Sequence, residues 1–428
     1  MSSRVATNTA YRNSVYYMQR RNVEVEKASE QYNTGKKFQT AADSPANFAA
    51  TMRLENDIAM YEQYTTNSGY AYDSLSLEET ALGTINTVLD RANVLMQSGV
   101  NGRNSGSDLT AISQELKEIQ KQLKDLINTK TATGESIFSG SLSDQDAYVF
   151  ENGKYVFENG KYVFENGKYV CKADNGQRSV QASASAQIAV SDSSKDFFEM
   201  VATARTAESD SLSISYADYQ TFESFYNKNY RHNEDPATEE VMNTYTVKKN
   251  GDHYELYKKD KPEDILAVSA PNSTEINFNG LKLNAEGVRV DETADFHLAP
   301  PENDNILNTL DKVIKTIEYY NNGTAPDGST VTISDVNKVL AETQISAKNT
   351  QVSVNGVMTK IGARQNTLDN IINANTDISA VKQEAKATIS EVDLYEASTN
   401  VTKTQTYLQM AMTSFKYVTG TTLFDYIR

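Results

Sequence analysis

Residues 394–418 read LYEASTNVTKTQTYLQMAMTSFKYV. Leu394, Val401, Leu408 and Phe415 recur every seven residues, and Ala397, Thr404, Ala411 and Val418 follow each of them by three. A seven-residue repeat of this kind is the a/d seam of a coiled coil, sustained here over more than three heptads. A helix with such a stripe cannot hide it alone, and no hairpin partner lies next to it in the chain. The opposite end, YRNSVYYMQRRNVEVEKASEQY at 11–32, offers a second stripe. Tyr11, Met18, Val25 and Tyr32 are spaced by seven, with Val15, Asn22 and Ser29 offset by four. Polar Asn22 and Ser29 make this seam weak. Pairing the two termini with each other is the simplest solution. The alternative, each stripe facing a globular core of its own, stays open on periodicity alone.

The texture of the chain supports a nested arrangement. Residues 1–140 and 302–428 are rich in Ala, Gln, Glu, Lys, Leu and Ile and nearly free of Pro, which favours long helices. One long run spans Arg53 to Ser98, with a break expected near Ser68-Gly69. Asp108 is expected to cap a helix carrying Leu109, Ile112, Leu116, Ile119, Leu123 and Leu126. Residues 302–321 carry Ile306, Leu310, Val313, Ile314 and Ile317. Ser334 or Asp335 would cap a last long helix toward Ala380. Residues 141–301 are rich in Tyr, Phe, Val, Asn-Gly, Asp and Pro and read as strands and turns. The expected fold is therefore α+β: an elongated multi-helix bundle, its N- and C-terminal helices paired as a coiled coil, with a β-rich inserted domain. The expected domains are 1–40 with 385–428 (terminal coiled coil), 41–145 with 276–384 (helical rod with a small β element), and 146–275 (variable β-rich insertion).

Inside that insertion YVFENGK occurs three times over from residue 148, followed by YV. Asn-Gly every seven residues, with strand-type residues between, predicts two-residue type I′ turns at 152–153, 159–160 and 166–167. The result would be a meander in which Glu151 faces Lys154, Phe150 faces Tyr155 and Val149 faces Val156. Phe150, Tyr155, Phe157, Tyr162 and Phe164 would then share an aromatic face. Cys171 stands where the next Phe would be, as a buried, inert thiol.

Composition excludes several classes. The 428 residues hold 57 Asp+Glu against 41 Lys+Arg, a formal net charge of −16. Such a chain is a poor nucleic-acid ligand, because phosphate neutralisation needs clustered Lys and Arg. No apolar run is long enough to span a membrane, and residues 1–14 carry no apolar core of a cleaved signal peptide. One Cys rules out an internal disulfide. His232, His253 and His297 show no metal-ligand spacing, and no Walker A, GxGxxG helix start or GxSxG is present. No catalytic, cofactor-binding or metal-binding residue is therefore assigned. Charge is uneven: residues 191–300 hold 21 Asp+Glu against 11 Lys+Arg, whereas residues 1–40 hold seven Lys+Arg against three Glu. The middle reads as solvated and the ends as interaction surfaces.

Two motifs carry a family resemblance. YNTGKKF at 32–38 followed by AADSPANFAA at 41–50 resembles the N-terminal signature of the flagellin superfamily, with Gly35, Lys36, Phe38, Asp43, Ser44 and Pro45 in the matching positions. IGARQNTLDNII at 361–372 and ISEVDLYEASTNVTKTQTYLQMAMTSF at 389–415 are similar to its C-terminal helices. GESIFSGS at 134–141, the strand-rich stretch 276–314 and the ending LFDYI resemble the hook–filament junction branch of that superfamily. The similarity covers about 1–145 and 276–428.

This resemblance implies a structural part of the bacterial flagellum, extracellular and exported without a cleaved signal. It implies a homo-oligomeric ring with hook-associated protein 1 and flagellin as neighbours, and an export chaperone on the C-terminal segment. It implies neither a nucleic-acid nor a membrane partner. A filament flagellin is the alternative within the superfamily. A third reading makes 146–275 an adhesin or glycan-binding module presenting the aromatic face, and the plainer alternative packs that face against the rest of the insertion.

Overall fold

The computed structural model describes residues 2–100, 105–158, 161–165, 167–290, 292–326 and 328–420, with side chains outside 2–7, 154–165 and 418–420. In chain order the helices are α1 (Ser2–Thr34), α2 (Pro45–Val100), α3 (Gly106–Ile127), α4 (Tyr219–Asn229), α5 (Pro236–Met242), α6 (Ile306–Asn322), α7 (Ile333–Ser390) and α8 (Leu394–Gly420). The strands are β1 (Tyr148–Glu151), β2 (Lys154–Glu158), β3 (Lys161–Glu165), β4 (Lys168–Cys171), β5 (Ser179–Gln181), β6 (Gln187–Ala189), β7 (Ala207–Glu208), β8 (Ser213–Tyr216), β9 (Thr244–Asn250), β10 (His253–Lys258), β11 (Lys261–Val268), β12 (Glu275–Phe278), β13 (Leu281–Asn284) and β14 (Thr293–Leu298). Long helices at both ends and strands between give the α+β class expected from the sequence. The chain folds as two units, one of Met1–Gly69, Gln181–Ala186 and Asp369–Arg428, the other of Tyr70–Val180 and Gln187–Leu368.

In the second unit the apolar positions of α3 (Leu109, Leu116, Leu123) and α6 (Ile306, Leu310, Ile317) are fully buried, as are Leu75, Leu82, Ile85 and Leu89 of α2 and Leu340, Val354 and Ile361 of α7. The expected break at Ser68-Gly69 does not occur: α2 runs through it. A helical glycine costs about 1 kcal/mol, and burial of Ala71 and Leu75 on the following turn outweighs that. The caps also shift. Ser105, not Asp108, is the N-cap of α3; Asp108 sits at N3 and returns a hydrogen bond to the Ser105 N–H at 2.9 Å. Thr332 and Asp335 make the same reciprocal pair before α7, the Thr332 N–H donating to Asp335 Oδ2 at 2.8 Å. In both capping boxes the acidic member follows the capping hydroxyl by three residues.

The β-rich part of this unit holds an antiparallel five-stranded sheet of order β11-β10-β9-β14-β7 and a three-stranded sheet β12-β13-β8. Val247, Leu256, Ile276, Leu281, Leu283 and Phe296 form a fully buried core beneath them. Asn279 and Gly280, with φ of 45° and 82°, make the tight turn from β12 to β13.

A buried charge cluster joins three segments of the unit. Glu78 of α2 is 1% exposed; its Oε1 accepts from the Asp192 N–H at 3.0 Å and its Oε2 has no partner among the described residues. Arg364 of α7 grips Asp192 with both terminal nitrogens, at 2.6 and 3.0 Å. Gln177 adds a third donor to Asp192, at 2.9 Å. Burial first, and then the Asp192 carboxylate, push the Glu78 carboxyl up to about 8.

The repeat departs from expectation. β1 pairs with β4 from Tyr148↔Cys171 to Glu151↔Lys168, and β2 with β3 from Lys154↔Glu165 to Glu158↔Lys161. These four strands share one register, so they are the two arms of a single hairpin and not a meander. Asn152-Gly153 runs straight on from β1 to β2. Asn159, Gly160 and Asn166 lie outside the described residues. Both ladders pair Phe with Tyr, so the copied side chains do not choose between them. The base of the hairpin does. Tyr148 is fully buried, its N–H donating to Asn128 Oδ1 at 2.9 Å, its carbonyl accepting from Asn128 Nδ2 at 2.8 Å and its hydroxyl donating to Glu199 at 2.9 Å. The Tyr169 N–H donates to Asn308 Oδ1 at 2.8 Å. A meander would separate Tyr148 from Cys171 by three strand spacings, about 14 Å. Phe150 packs on Tyr169 at 5.0 Å and lies over Gly167, where a Cβ would come within 2.6 Å of its ring. Cys171 is half-buried, its Sγ 3.9 Å from Ser194 Oγ.

This register makes a parity prediction. With Glu158 opposite Lys161, the two arms close across the middle of the three Asn-Gly copies in the sequence. Deleting 14 residues (155–168) keeps both the base pairing and an Asn-Gly tip. Deleting seven (155–161) puts a valine there instead. The seven-residue deletion is expected to lower Tm more than the fourteen-residue one, although it removes less chain. The reverse order in thermal denaturation sinks the single-hairpin register.

Candidate functional site

The paired termini form the candidate site. Tyr11 of α1 meets Phe415 of α8 with ring centroids 5.5 Å apart, and the Arg21 guanidinium lies 5.3 Å from the Tyr407 ring. Ten residues forward on α1 therefore correspond to eight back on α8, so the pair is antiparallel. Ala28, Ala397 and Thr404 are its most buried positions, at 3%, 4% and 9% exposure. Small residues there let the two helices approach closely, and Thr404 satisfies its hydroxyl on the Asn400 carbonyl at 2.9 Å.

The heptad positions are placed as follows. Met18 and Val25 of α1, and Val401, Leu408 and Phe415 of α8, are half-buried. Tyr11 and Tyr32 are 47% and 46% exposed, and Leu394 is 61% exposed. Leu394 is the first residue of α8, where Asp393 Oδ1 receives the Tyr395 N–H at 2.8 Å. The side chain of Val418 lies outside the described residues. On α1 the positions three after the heptad residues, Ser14, Arg21 and Ala28, turn inward, and of the positions four after them Val15 and Ser29 are half-buried while Asn22 is exposed, so the inward stripe takes in both offsets. Arg21 escapes a search for apolar residues; its long stem and flat guanidinium cover the Tyr407 ring.

The six motif residues build the turn between α1 and α2. Gly35 ends α1 with φ of 68°, a conformation that favours glycine. Its carbonyl accepts from the Val392 N–H at 2.9 Å, and Lys36 bridges Glu391. The Lys37 N–H donates to the Ser390 carbonyl at 2.7 Å. The turn is thereby stitched to the α7–α8 junction. Phe38 is buried edge-on to Phe48 at 6.4 Å. Asp43 accepts from the Thr40 N–H at 3.1 Å, the Thr40 hydroxyl at 3.0 Å and the Gln39 N–H at 3.3 Å. Those bonds, the Thr40 N–H foremost, hold its carboxyl below the usual range. The Ser44 carbonyl accepts the first hydrogen bond of α2, from the Phe48 N–H at 2.9 Å, and Pro45 occupies the first helical position, where no N–H is needed. Lys382 on Asp57 at 2.6 Å and Lys386 on Glu55 at 2.9 Å then tie α7 to α2 within this unit.

Away from the seam both helices expose large apolar side chains among polar ones. Tyr16, Tyr17 and Val23 on α1 are 57–61% exposed, and Tyr395 and Met410 on α8 are 84% and 62% exposed. Exposed large side chains in such number on one helix pair are of the kind that neighbouring molecules cover. No catalytic constellation accompanies them. Among the described residues no group of three or more His, Cys, Asp or Glu is placed to hold a metal, and no helix is long and apolar enough to cross a membrane. Of the insertion aromatics, Phe150 is 44% exposed. Tyr155 stands opposite Phe164, and Phe157 opposite Tyr162, in the ladder; their side chains lie outside the described residues.

Residues 5–143 match the family model described as the bacterial flagellin N-terminal helical region. Flagellar hook-associated protein 3 of Escherichia coli (strain K12) is 27% identical over 151 residues, 35% of this chain and 48% of that protein. The protein of the same name from Salmonella typhimurium is 28% identical over 137 residues, 32% of this chain and 43% of that one. B-type flagellin of Pseudomonas aeruginosa is 28% identical over 155 residues, 36% of this chain and 31% of its own. The chain spans about half, or less, of the length of the curated relatives it matches. Two solved structures share its fold. Flagellar hook associated protein-3 from Legionella pneumophila has a TM-score of 0.54 at 20% identity, covering 79% of this chain and 99% of that one. FlgL from Xanthomonas campestris has a TM-score of 0.53 at 15% identity, covering 78% and 99%.

Proposed function

We propose that this chain, which belongs to the flagellin superfamily, is a structural subunit of the bacterial flagellum that joins the hook-side junction to the filament. The carrying observation is the number of large hydrophobic side chains left exposed on the terminal helix pair. An isolated subunit leaves Tyr16, Tyr17, Val23, Tyr395 and Met410 in water; a neighbour packed alongside would remove them from it, at roughly 25 cal/mol per Å² of apolar area covered. A contact between unlike faces of identical subunits builds a ring or a helical array. The working unit is then a ring of copies, with hook-associated protein 1 on one side and flagellin on the other, outside the cell. Before assembly the same side chains on α8 need a cover, which is the task of an export chaperone on the C-terminal segment. The chain acts by polymerising and carries out no reaction.

The second reading, a filament flagellin, is kept by the match to B-type flagellin. The two differ in what the purified chain does alone. A junction subunit stays short of long fibres and restores attached filaments to cells lacking their own junction protein. Long fibres from the pure chain favour the flagellin reading, and filaments that stay attached equally well without the chain remove the junction role.

A further inference from the structure

A groove of about 900 Å³ lies between α4, β11 and the β12–β13 turn, the size of pockets that hold small ligands. Its floor is aromatic: Phe225 packs on Phe278 at 5.0 Å and on Tyr245 at 5.8 Å. Tyr245 and Phe278 are buried, whereas Phe225 is half-exposed. Its rim is cationic. Lys228, Lys258 and Lys261 line it against one carboxylate, Asp264. That reverses the charge of its surroundings, where 21 acidic residues outnumber 11 basic ones over 191–300. Among the described residues Lys228 and Lys261 make no ion pair, and Lys258 approaches only Asp260, at 3.7 Å. Exposed Asn277 adds a side-chain amide to the lining.

We propose that this groove binds an acidic oligosaccharide, with a sugar ring on Phe225, carboxylate groups on Lys228 and Lys261, and hydroxyls on Asn277. Each component answers one part of that chemistry. The C–H face of a sugar ring is apolar and flat enough to lie on an aromatic ring. Ammonium groups without an ion-pair partner accept a carboxylate at no cost of breaking one. A side-chain amide offers a donor and an acceptor side by side, matching adjacent hydroxyls. An acidic peptide is the competing ligand for three lysines. Peptides gain affinity at a sheet edge through main-chain hydrogen bonds, and between the groove-lining Lys261 and Asp264 the edge strand β11 carries Pro262, which has no N–H, and acidic Glu263. The edge therefore disfavours that occupant. The groove is built wholly from the β-rich part of the second unit, so it would be a binding activity additional to assembly.

The test is calorimetric titration of the full chain with oligogalacturonate, a neutral glucan oligomer of equal length, and poly-glutamate. Oligogalacturonate is expected to bind, and the Lys228→Ala/Lys261→Ala double variant to weaken it by roughly tenfold or more, a change of about 1.4 kcal/mol per decade. Asn277→Ala, at an exposed position, is expected to weaken it with folding intact. Phe225→Ala probes the floor, with circular dichroism to check that the sheet survives. The proposal falls if oligogalacturonate does not bind, if poly-glutamate binds as well, if the neutral glucan binds as well, or if the lysine variant binds unchanged.

Discussion

Replacing Arg364 with Met is expected to destabilise the protein by about 3–5 kcal/mol, the usual cost of removing one partner from a buried ion pair. Arg364 is the cation that grips Asp192 with two bonds, and Asp192 is 6% exposed. Without the guanidinium, Asp192 stays buried beside a second carboxyl, that of Glu78, with Gln177 and no cation in direct contact. The Asp192→Asn/Arg364→Met double variant should recover part of the loss, because no uncompensated charge then remains. Urea denaturation measures both. A loss under about 1 kcal/mol for Arg364→Met would mean that water reaches the cluster and screens it.

The same cluster gives a pH dependence with a definite sign. The Glu78 carboxyl, raised to about 8 in the fold, holds its proton where the unfolded chain, with a value near 4.5, has lost it. The folded state thus binds more protons between those values. Stability is greatest below the unfolded value and falls as pH rises toward about 8, by at most about 1.4 kcal/mol per pH unit, then levels off. Glu78→Gln keeps the acceptor for the Asp192 N–H and removes the titration. The variant should match the parent near pH 5 and exceed it at pH 8. Parallel stability curves for parent and variant across that window would show that Glu78 is ionised throughout.

In the proposed junction role, Leu408→Asp is expected to abolish joining. Leu408 is half-buried on the α1-facing side of α8, at a level between Met18 and Arg21. A carboxylate there must either be desolvated against α1 or push α8 away from it. The expected cost is about 2–3 kcal/mol. An isolated two-helix contact with Ala and Thr at its most buried positions has little reserve to absorb that. Deleting 1–35 or 394–428 should have the same effect on joining while leaving the second unit folded, since its core draws on neither segment. Electron microscopy of cells carrying each variant scores joining, and circular dichroism of the purified chains reports the remaining fold. Attached filaments from both truncations would refute the terminal-helix interface.

The sequence by itself determined the helical ends and the strand-rich middle, and made the pairing of the termini the simplest arrangement, which the contact of Tyr11 with Phe415 then decided. Each rests on local periodicity: the seven-residue spacing of Leu394, Val401, Leu408 and Phe415, or the alternation and Asn-Gly punctuation of the middle. The motif Gly35 to Pro45 was legible only as a family resemblance; the structure supplied its physical reasons, a left-handed glycine, a carboxylate that closes the preceding turn and a first-turn proline. Tertiary structure decided the rest, wherever two local answers were equally good. Identical repeats fit a meander and a hairpin with the same Phe–Tyr pairs, and only the anchoring of Tyr148 on Asn128 and Tyr169 on Asn308 selected the hairpin. A glycine inside α2 could end the helix or be carried through it, and burial of the next turn carried it through. Arg21 entered the α1 seam because Tyr407, almost four hundred residues away in the chain, offered it a ring. Glu78, Asp192 and Arg364 share no spacing at all: their meeting depends on which faces of α2 and α7 the core turned inward, and a local pattern holds no record of that.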